Sequence, residues 1–509
     1  MLVRRARLSL NASMNRTVSR RVFLAATASV AAQVAIAAPP AASLRPIARG
    51  ADHFKKSVDG GEAIVASAKL TGEVSFSVAD AKTGLRLEGL NSKTGLPPAS
   101  VAKAVTALYA LDVLGPSHRF VTRLVATGGV SGGVVQGDLV LVGGGDPTLD
   151  TNALASLAKA MKDKGIREVR GAFKVAQGAL PFTRTIDSDQ PDHVGYSPAV
   201  SGIALNFNRV HFEWRRAGGK YGITMDARSD RLRPEVAMAK MQIIDRSMPV
   251  YTYKDAGRVD NWTVSRRALG NGGARWLPVR KPALYAGDVF QTLARSNGIV
   301  LKSPKVIDAA PAGAVLATYQ SDDLRSILRA MLRYSTNITA EMVGMSATAK
   351  RIGTVRSLRA SATEMNRWAA AKLGANNIKL VDHSGLGGAS RMTSGDMVTA
   401  LVEAYKSATL RPILKPVAMR DQKGRPVKTH PIKVDAKTGT LNFVSGLAGY
   451  MTGRDGTVMA FAIFAADEAT RGRLSKANRE APQGARPWNR RAKTMQLKLI
   501  ERWGALYGT

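Results

Sequence analysis

Cysteine is missing from all 509 residues of the chain. Its absence removes disulfides, thiolate metal sites and a cysteine nucleophile together. It suits export to an oxidising compartment without demanding it. Acidic charge is also scarce: 38 Asp and Glu stand against 74 Lys and Arg, a net charge of +36. A chain so basic is drawn to polyanions, whether nucleic acid, anionic lipid or anionic wall polymer. Its Lys and Arg residues are scattered, with no zinc-finger spacing and no aromatic RNA-binding signature. Nucleic acid is therefore not an expected partner. The charge is read as setting solubility and allowing peripheral association with anionic envelope surfaces. Long apolar runs are missing too: the one candidate, Val22 to Ala37, falls short of the roughly 20 residues that span a bilayer.

What is present is ordinary in bulk, 45% hydrophobic and 22% charged, and long enough for two or three domains. Residues 1–42 read as an export signal. Arg4, Arg5, Arg7, Arg16, Arg20 and Arg21, with no acid among them, precede the apolar run, and Ala35-Ile36-Ala37 offers small residues for cleavage. Ser19-Arg20-Arg21-Val22-Phe23-Leu24 resembles the twin-arginine signal, which addresses folded proteins for export. A soluble periplasmic protein is expected.

Past an Ala/Gly-rich lead-in, Val74, Phe76 and Val78 alternate with serines, and Leu85 and Leu87 alternate on the way back through Asp80–Gly84, a hairpin. Helical spacing begins at about Ala99 or Ser100, because Pro97 and Pro98 cannot extend a helix backwards. Further helices are expected at 152–164, 285–297, 322–333, 355–373 and 487–506, and strands at 137–142, 203–214, 441–451 and 458–465. Strands at both ends with helices between them suggest an α+β domain, an antiparallel sheet flanked by helices. The chain divides into the signal, a first part of this domain at 43–123, an inserted region of one or two smaller domains at 124–313, and a second part at 314–509.

Three short motifs stand in a meaningful order. In Ser100-Val101-Ala102-Lys103 the two polar residues share a helix face, so the lysine amine can take the proton of the serine hydroxyl. Ser156-Leu157-Ala158-Lys159 has the same spacing, but lies inside a helix with its own apolar stripe and reads as surface. Ser335-Thr336-Asn337 follows an apolar helix, and alone it would be a terminator. Lys437-Thr438-Gly439-Thr440 enters a strong strand pair; Gly439 would let a substrate backbone lie close, with Lys437 and Thr438 facing its carboxylate. Two further copies of the tripeptide, at Lys82 and Lys93, read as turns.

Serine-x-x-lysine, serine-x-asparagine and lysine-threonine-glycine in this order mark penicillin-binding proteins and related β-lactamases. With Gly145-Asp146-Pro147-Thr148-Leu149, Ser335 through Glu341, and Asp382-His383-Ser384-Gly385-Leu386, the chain from about residue 60 resembles the D-alanyl-D-alanine carboxypeptidase/endopeptidase family, the class C low-molecular-mass penicillin-binding proteins. The long interval between Ser100 and Ser335 also fits that family. The segments Asp187–Tyr196 and Gly387-Gly388-Ala389 depart from its pattern.

The resemblance implies a penicillin-binding-protein/β-lactamase-like fold and a serine peptidase acting on peptidoglycan stem peptides, with β-lactams as covalent inhibitors. It implies Ser100 as nucleophile, Lys103 as a base kept neutral by burial and by the charge of Lys437, and Ser335 as proton relay. It implies Asn337 as a holder of the peptide amide, Thr438 and Thr440 as binders of the terminal carboxylate, and Ser100 and Thr440 N–H groups as oxyanion hole. No metal or cofactor is implied. A class A β-lactamase would need a glutamate with asparagine four residues on. Glu168, Glu213 and Glu235, the glutamates between Lys103 and Ser335, are each followed there by alanine. A wall-binding protein with a dead site is the remaining alternative, and three intact motifs speak against it.

Overall fold

The structure, a computed structural model, describes residues 58–421 and 423–508. The export signal expected at 1–42 lies outside the described residues. Gly60 to Thr509 form one compact unit.

Its centre is a six-stranded antiparallel sheet. The strands are β1 (Glu73–Asp80), β2 (Arg86–Leu90), β3 (Lys415–Pro416), β4 (Lys433–Leu441), β5 (Val444–Thr452) and β6 (Val458–Ala466). They lie in the order β3-β4-β5-β6-β1-β2. The first hairpin is therefore stitched to the last one, with Val74 opposite Ala465 and Val78 opposite Phe461. Strand β6 has every residue buried, because helices cover both faces of the sheet. Ala462 and Phe464 face one cluster, while Phe461 and Ile463 face the other.

The first cluster packs against helix α1 (Ala102–Leu114), α2 (Leu324–Tyr334), α3 (Asn337–Ile352), α4 (Leu358–Leu373) and α5 (Ser394–Lys406). The second packs against α6 (Ala485–Tyr507), whose Trp503 is fully buried against Phe76 and Phe461 and donates its indole N–H to Glu88. Helix α1 has no polar face: Ala102 through Ala110 are all buried. A helix apolar all round belongs in the centre of a domain, and the one charge it carries there is Lys103.

Residues 121–320 build their own sheets. A five-stranded sheet pairs Val121–Ala126 with Ala314–Gln320, so the two ends of this region lie side by side. Three three-stranded sheets share its core, with Trp262, Phe212 and Tyr285 at the centre.

Most expected elements are present within a few residues, and the differences have local causes. The extended run read over 203–214 breaks at Asn206, Phe207 and Asn208, all in the left-handed region with φ of 49°, 58° and 50°. The asparagine side chains hold this turn by bonding Thr151 Oγ1 and the Ala199 carbonyl. Ser335-Thr336-Asn337 ends one helix and also starts another, α3. Helix α5, capped by Thr393 on the N–H of Asp396, was not anticipated.

Gly439 differs in what it admits. A Cβ there would meet the Pro98 carbonyl at 2.7 Å and the Ser100 nitrogen at 3.1 Å. The glycine brings β4 against the chain's own turn before α1, instead of receiving a substrate backbone on that face. We expect Gly439→Ala to push residues 98–100 away at a cost of about 1–3 kcal/mol, as overpacked positions do. Urea denaturation and penicillin acylation should both show losses. Unchanged stability together with unchanged acylation would mean that the turn does not need this approach.

Candidate active site

The site is built where three distant segments meet. Pro97-Pro98 lead into a short 3₁₀ turn, Ala99–Val101, that continues as α1. Ala99 sits in the left-handed region at φ 46°, an unfavourable place for a residue with a Cβ. Strain of this kind persists where surrounding packing over-determines it, and here Ala99 is fully buried, its carbonyl packed against Gly385. Ser100 follows, half-buried, with its hydroxyl 2.9 Å from Lys103 Nζ.

Lys103 is completely buried and has two further partners, Asn337 Oδ1 at 2.7 Å and the Ser384 carbonyl at 2.8 Å. Asn337 opens α3 and donates its amide N–H to the Tyr196 carbonyl. Ser335 ends α2 in the left-handed conformation, and its hydroxyl accepts from Lys437 Nζ at 3.0 Å. Lys437 is also buried and donates to the carbonyl of Thr438. Thr440 lines the cleft beside Ser100, Ser335 and Asn337, whereas Thr438 is exposed and does not line it. Strand β3 pairs with Asp435 and Ala436 only, so the β4 backbone beyond them has no strand on that side among the described residues.

Rival copies of the motifs fall elsewhere. Ser156 bonds the carbonyl one turn back and Lys159 pairs with Asp163 at the surface. Lys82 and Lys93 are exposed in turns next to β2.

The cleft holds about 390 Å³. One wall is Gln190 and Tyr196 from the inserted region, in the segment that departs from the family's pattern. That loop is carried by buried Arg280, whose guanidinium donates to the carbonyls of Arg184, Asp192 and Ser197. Two ion pairs tie it to the segment after β6, Asp192 with Lys476 and Asp189 with Arg479, and His193 Nε2 lies 2.6 Å from Glu480.

Electrostatics follow from dryness. Burial lowers the Lys103 ammonium to about 8, against the opposing pull of Glu341 and Asp382. Burial, and then the charge of Lys103, holds Lys437 well below the usual lysine range. Two cations in one dry site repel reciprocally, so the first proton to leave comes off the pair. The sequence had suggested Lys437 as the neighbour governing Lys103. The structure adds two buried carboxylates that act in the opposite direction, and nothing in the motif spacing announced them.

A pocket of this shape, between an antiparallel sheet and a buried helix carrying serine and lysine, defines the fold of penicillin-recognising serine peptidases. Penicillin binding protein 4 of Haemophilus influenzae superposes with a TM-score of 0.67 at 17% identity, covering 88% of this chain and 99% of that one. A D-alanyl-D-alanine carboxypeptidase of an Actinomadura species is 28% identical over 485 residues, 84% of this chain and 86% of the relative. A carboxypeptidase of Mycobacterium tuberculosis is 29% identical over 427 residues, 81% of this chain and 80% of the relative. The model of the D-Ala-D-Ala carboxypeptidase 3 (S13) family matches residues 61–483, and the chain belongs to that family.

Acylation by penicillin should therefore rise with pH through about 8, as Lys103 loses its proton. Lys437→Ala removes a neighbouring cation, makes protonated Lys103 easier to hold, and should move that rise to higher pH. Stopped-flow acylation from pH 5 to 10 reads both. A flat profile would remove Lys103 from the proton path, and an unmoved one in the variant would uncouple the two lysines.

Proposed function

We propose that this chain is an exported serine D-Ala-D-Ala carboxypeptidase and endopeptidase of the cell wall, working through an acyl-enzyme on Ser100. The carrying observation is the convergence of three segments on one cleft lined by Ser100, Ser335 and Asn337, with Lys103 bonded to Ser100 and Asn337 and Lys437 bonded to Ser335. Neutral Lys103 takes the Ser100 proton as Oγ bonds to the carbonyl carbon between two D-alanines. The N–H groups of Ser100 and Thr440 hold the oxyanion, a contribution worth about 100-fold or more in rate. As the C–N bond breaks, Ser335 relays a proton to the departing amine. Water then attacks the ester and restores Ser100. The β4 edge beyond β3 gives an extended stem peptide a place to lie, with Asn337 holding its amide and Thr440 its terminal carboxylate. A β-lactam enters the same path and stops at the ester.

In this reading the described catalytic part is 58–120 and 321–508, and the inserted region, whose sheets run over 121–320, lends the cleft its Tyr196 wall. Export follows the twin-arginine signal to the periplasm. No helix among the described residues is long and apolar enough to cross a membrane. Arg325, Arg329 and Arg333 line the exposed face of α2 at one-turn spacing, a surface suited to peripheral contact with anionic envelope polymers.

Ser100→Ala should abolish covalent labelling by a fluorescent penicillin, and Ser156→Ala should leave it intact. Labelling that survives loss of Ser100 would overturn the assignment, and rapid release of the wild-type label would point to a β-lactamase. For export, Arg20→Lys with Arg21→Lys should retain the protein in the cytoplasm, because the charge survives but the recognised pair does not. Undiminished periplasmic protein in cell fractionation would assign the general secretory route.

A further inference from the structure

Two stretches carry the family resemblance without a role in the chemistry above: the end of the Ser335–Glu341 run, and Asp382-His383-Ser384-Gly385-Leu386. The structure joins them. Glu341 is completely buried on α3, and each of its carboxylate oxygens accepts one backbone N–H, Oε2 from His383 at 2.9 Å and Oε1 from Ser384 at 3.0 Å. Asp382 closes the other end of the same turn by accepting from Gly385 and Gly387. The carbonyl of Ser384, thus held, is the one that Lys103 Nζ meets at 2.8 Å.

A neutral amine has two N–H bonds and one lone pair. Of the three oxygens around Lys103, Asn337 Oδ1 and the Ser384 carbonyl can only accept, so they take the two N–H bonds. The lone pair is left for the third oxygen, Ser100 Oγ. Asn337 and Glu341 are four residues apart on α3 and share a helix face. One face of one helix therefore supplies the first acceptor directly and fixes the second through the backbone of another segment.

We infer that Glu341 is a positioning residue for the proton transfer, holding the Ser384 carbonyl so that the Lys103 lone pair points at Ser100. This rests on Ser100 and Lys103 acting as nucleophile and base. The charged groups facing Lys103 are Glu341 from α3, Asp382 from the 382–387 turn and Lys437 from β4.

Burial, and then the charge of Asp382, push the Glu341 carboxyl up to about 8, while the two N–H groups it accepts favour its ionised form, so it carries its charge where Lys103 loses its proton. The test is Glu341→Gln, which keeps the shape but turns an amide NH₂ toward one of the two N–H donors and removes that charge. Penicillin acylation should slow about 10- to 100-fold, the range for a hydrogen bond to a charged group. The rise of rate with pH should move to lower pH, since protonated Lys103 loses a stabilising neighbour. Glu341→Asp keeps the charge but shortens the reach, and should slow acylation with little movement of the rise. Met345→Ala, a core change on the same helix, gives the signature of simple destabilisation: a lower melting temperature with the rise unmoved. A Glu341→Gln profile that stays at the wild-type pH, or acylation at the wild-type rate, overturns the inference. Should Glu341→Gln not fold, Glu341→Asp decides: acylation at the wild-type rate rejects the inference. If Ser100→Ala still labels, it is the underlying assignment that fails, and the two failures are told apart.

Discussion

Everything in the site is arranged around one completely buried amine. Burying an ammonium is costly unless it is paired or gives up its proton. Lys103 is offered three oxygens within hydrogen-bond reach and the field of two buried carboxylates, enough to keep it in place without holding its charge firmly. That compromise requires α1 to be apolar on all sides, α3 to start at the cleft, and the 382–387 turn to be pinned by carboxylates. It also requires β4 to come within van der Waals range of the nucleophile's turn, which the absence of a side chain at Gly439 permits.

Much of this was legible in the sequence because local rules govern it. Proline pairs end helices backwards, so Ser100 had to lie near a helix start; alternation showed β1; an uninterrupted apolar run showed β6. The serine, asparagine and lysine motifs could be ordered along the chain; that order excluded the decoys at Lys82 and Lys93, and the apolar stripe of its helix excluded Ser156. What could not be read was long-range. A buried glutamate looks like any helix-surface glutamate until its neighbours are known. The carbonyl of Ser384 has no sequence signature at all. The left-handed Asn206-Phe207-Asn208 turn sits inside an extended-looking pattern, because asparagine tolerates that backbone where most residues do not.

The inserted region is part of the cleft as well as an addition to the fold. Its loop through Gln190 and Tyr196 is anchored by Arg280 on one side and by polar contacts to Lys476, Arg479 and Glu480 on the other. Each exposed pair is individually worth little, but they share one loop. Glu480, paired with His193 and Arg275, is held down to about 2 and stays ionised across the working range. The width of the cleft on that side is thus set by electrostatics between two segments nearly 300 residues apart, while the reacting groups are set by close packing.

Strand β1 pairs along its whole length with β6, almost four hundred positions later. Four of the six strands of the central sheet, among them the strand bearing Lys437, and the covering helix α6 all come from the last hundred residues. A ribosome-bound chain therefore holds Ser100 and Lys103 for most of its synthesis without a cleft to put them in. Contacts of such separation form slowly, since loop-closure entropy must be overcome first. Competence arrives late and all at once: a chain cut short before β6 is left with an open sheet edge and a serine that has lost the strand it is packed against.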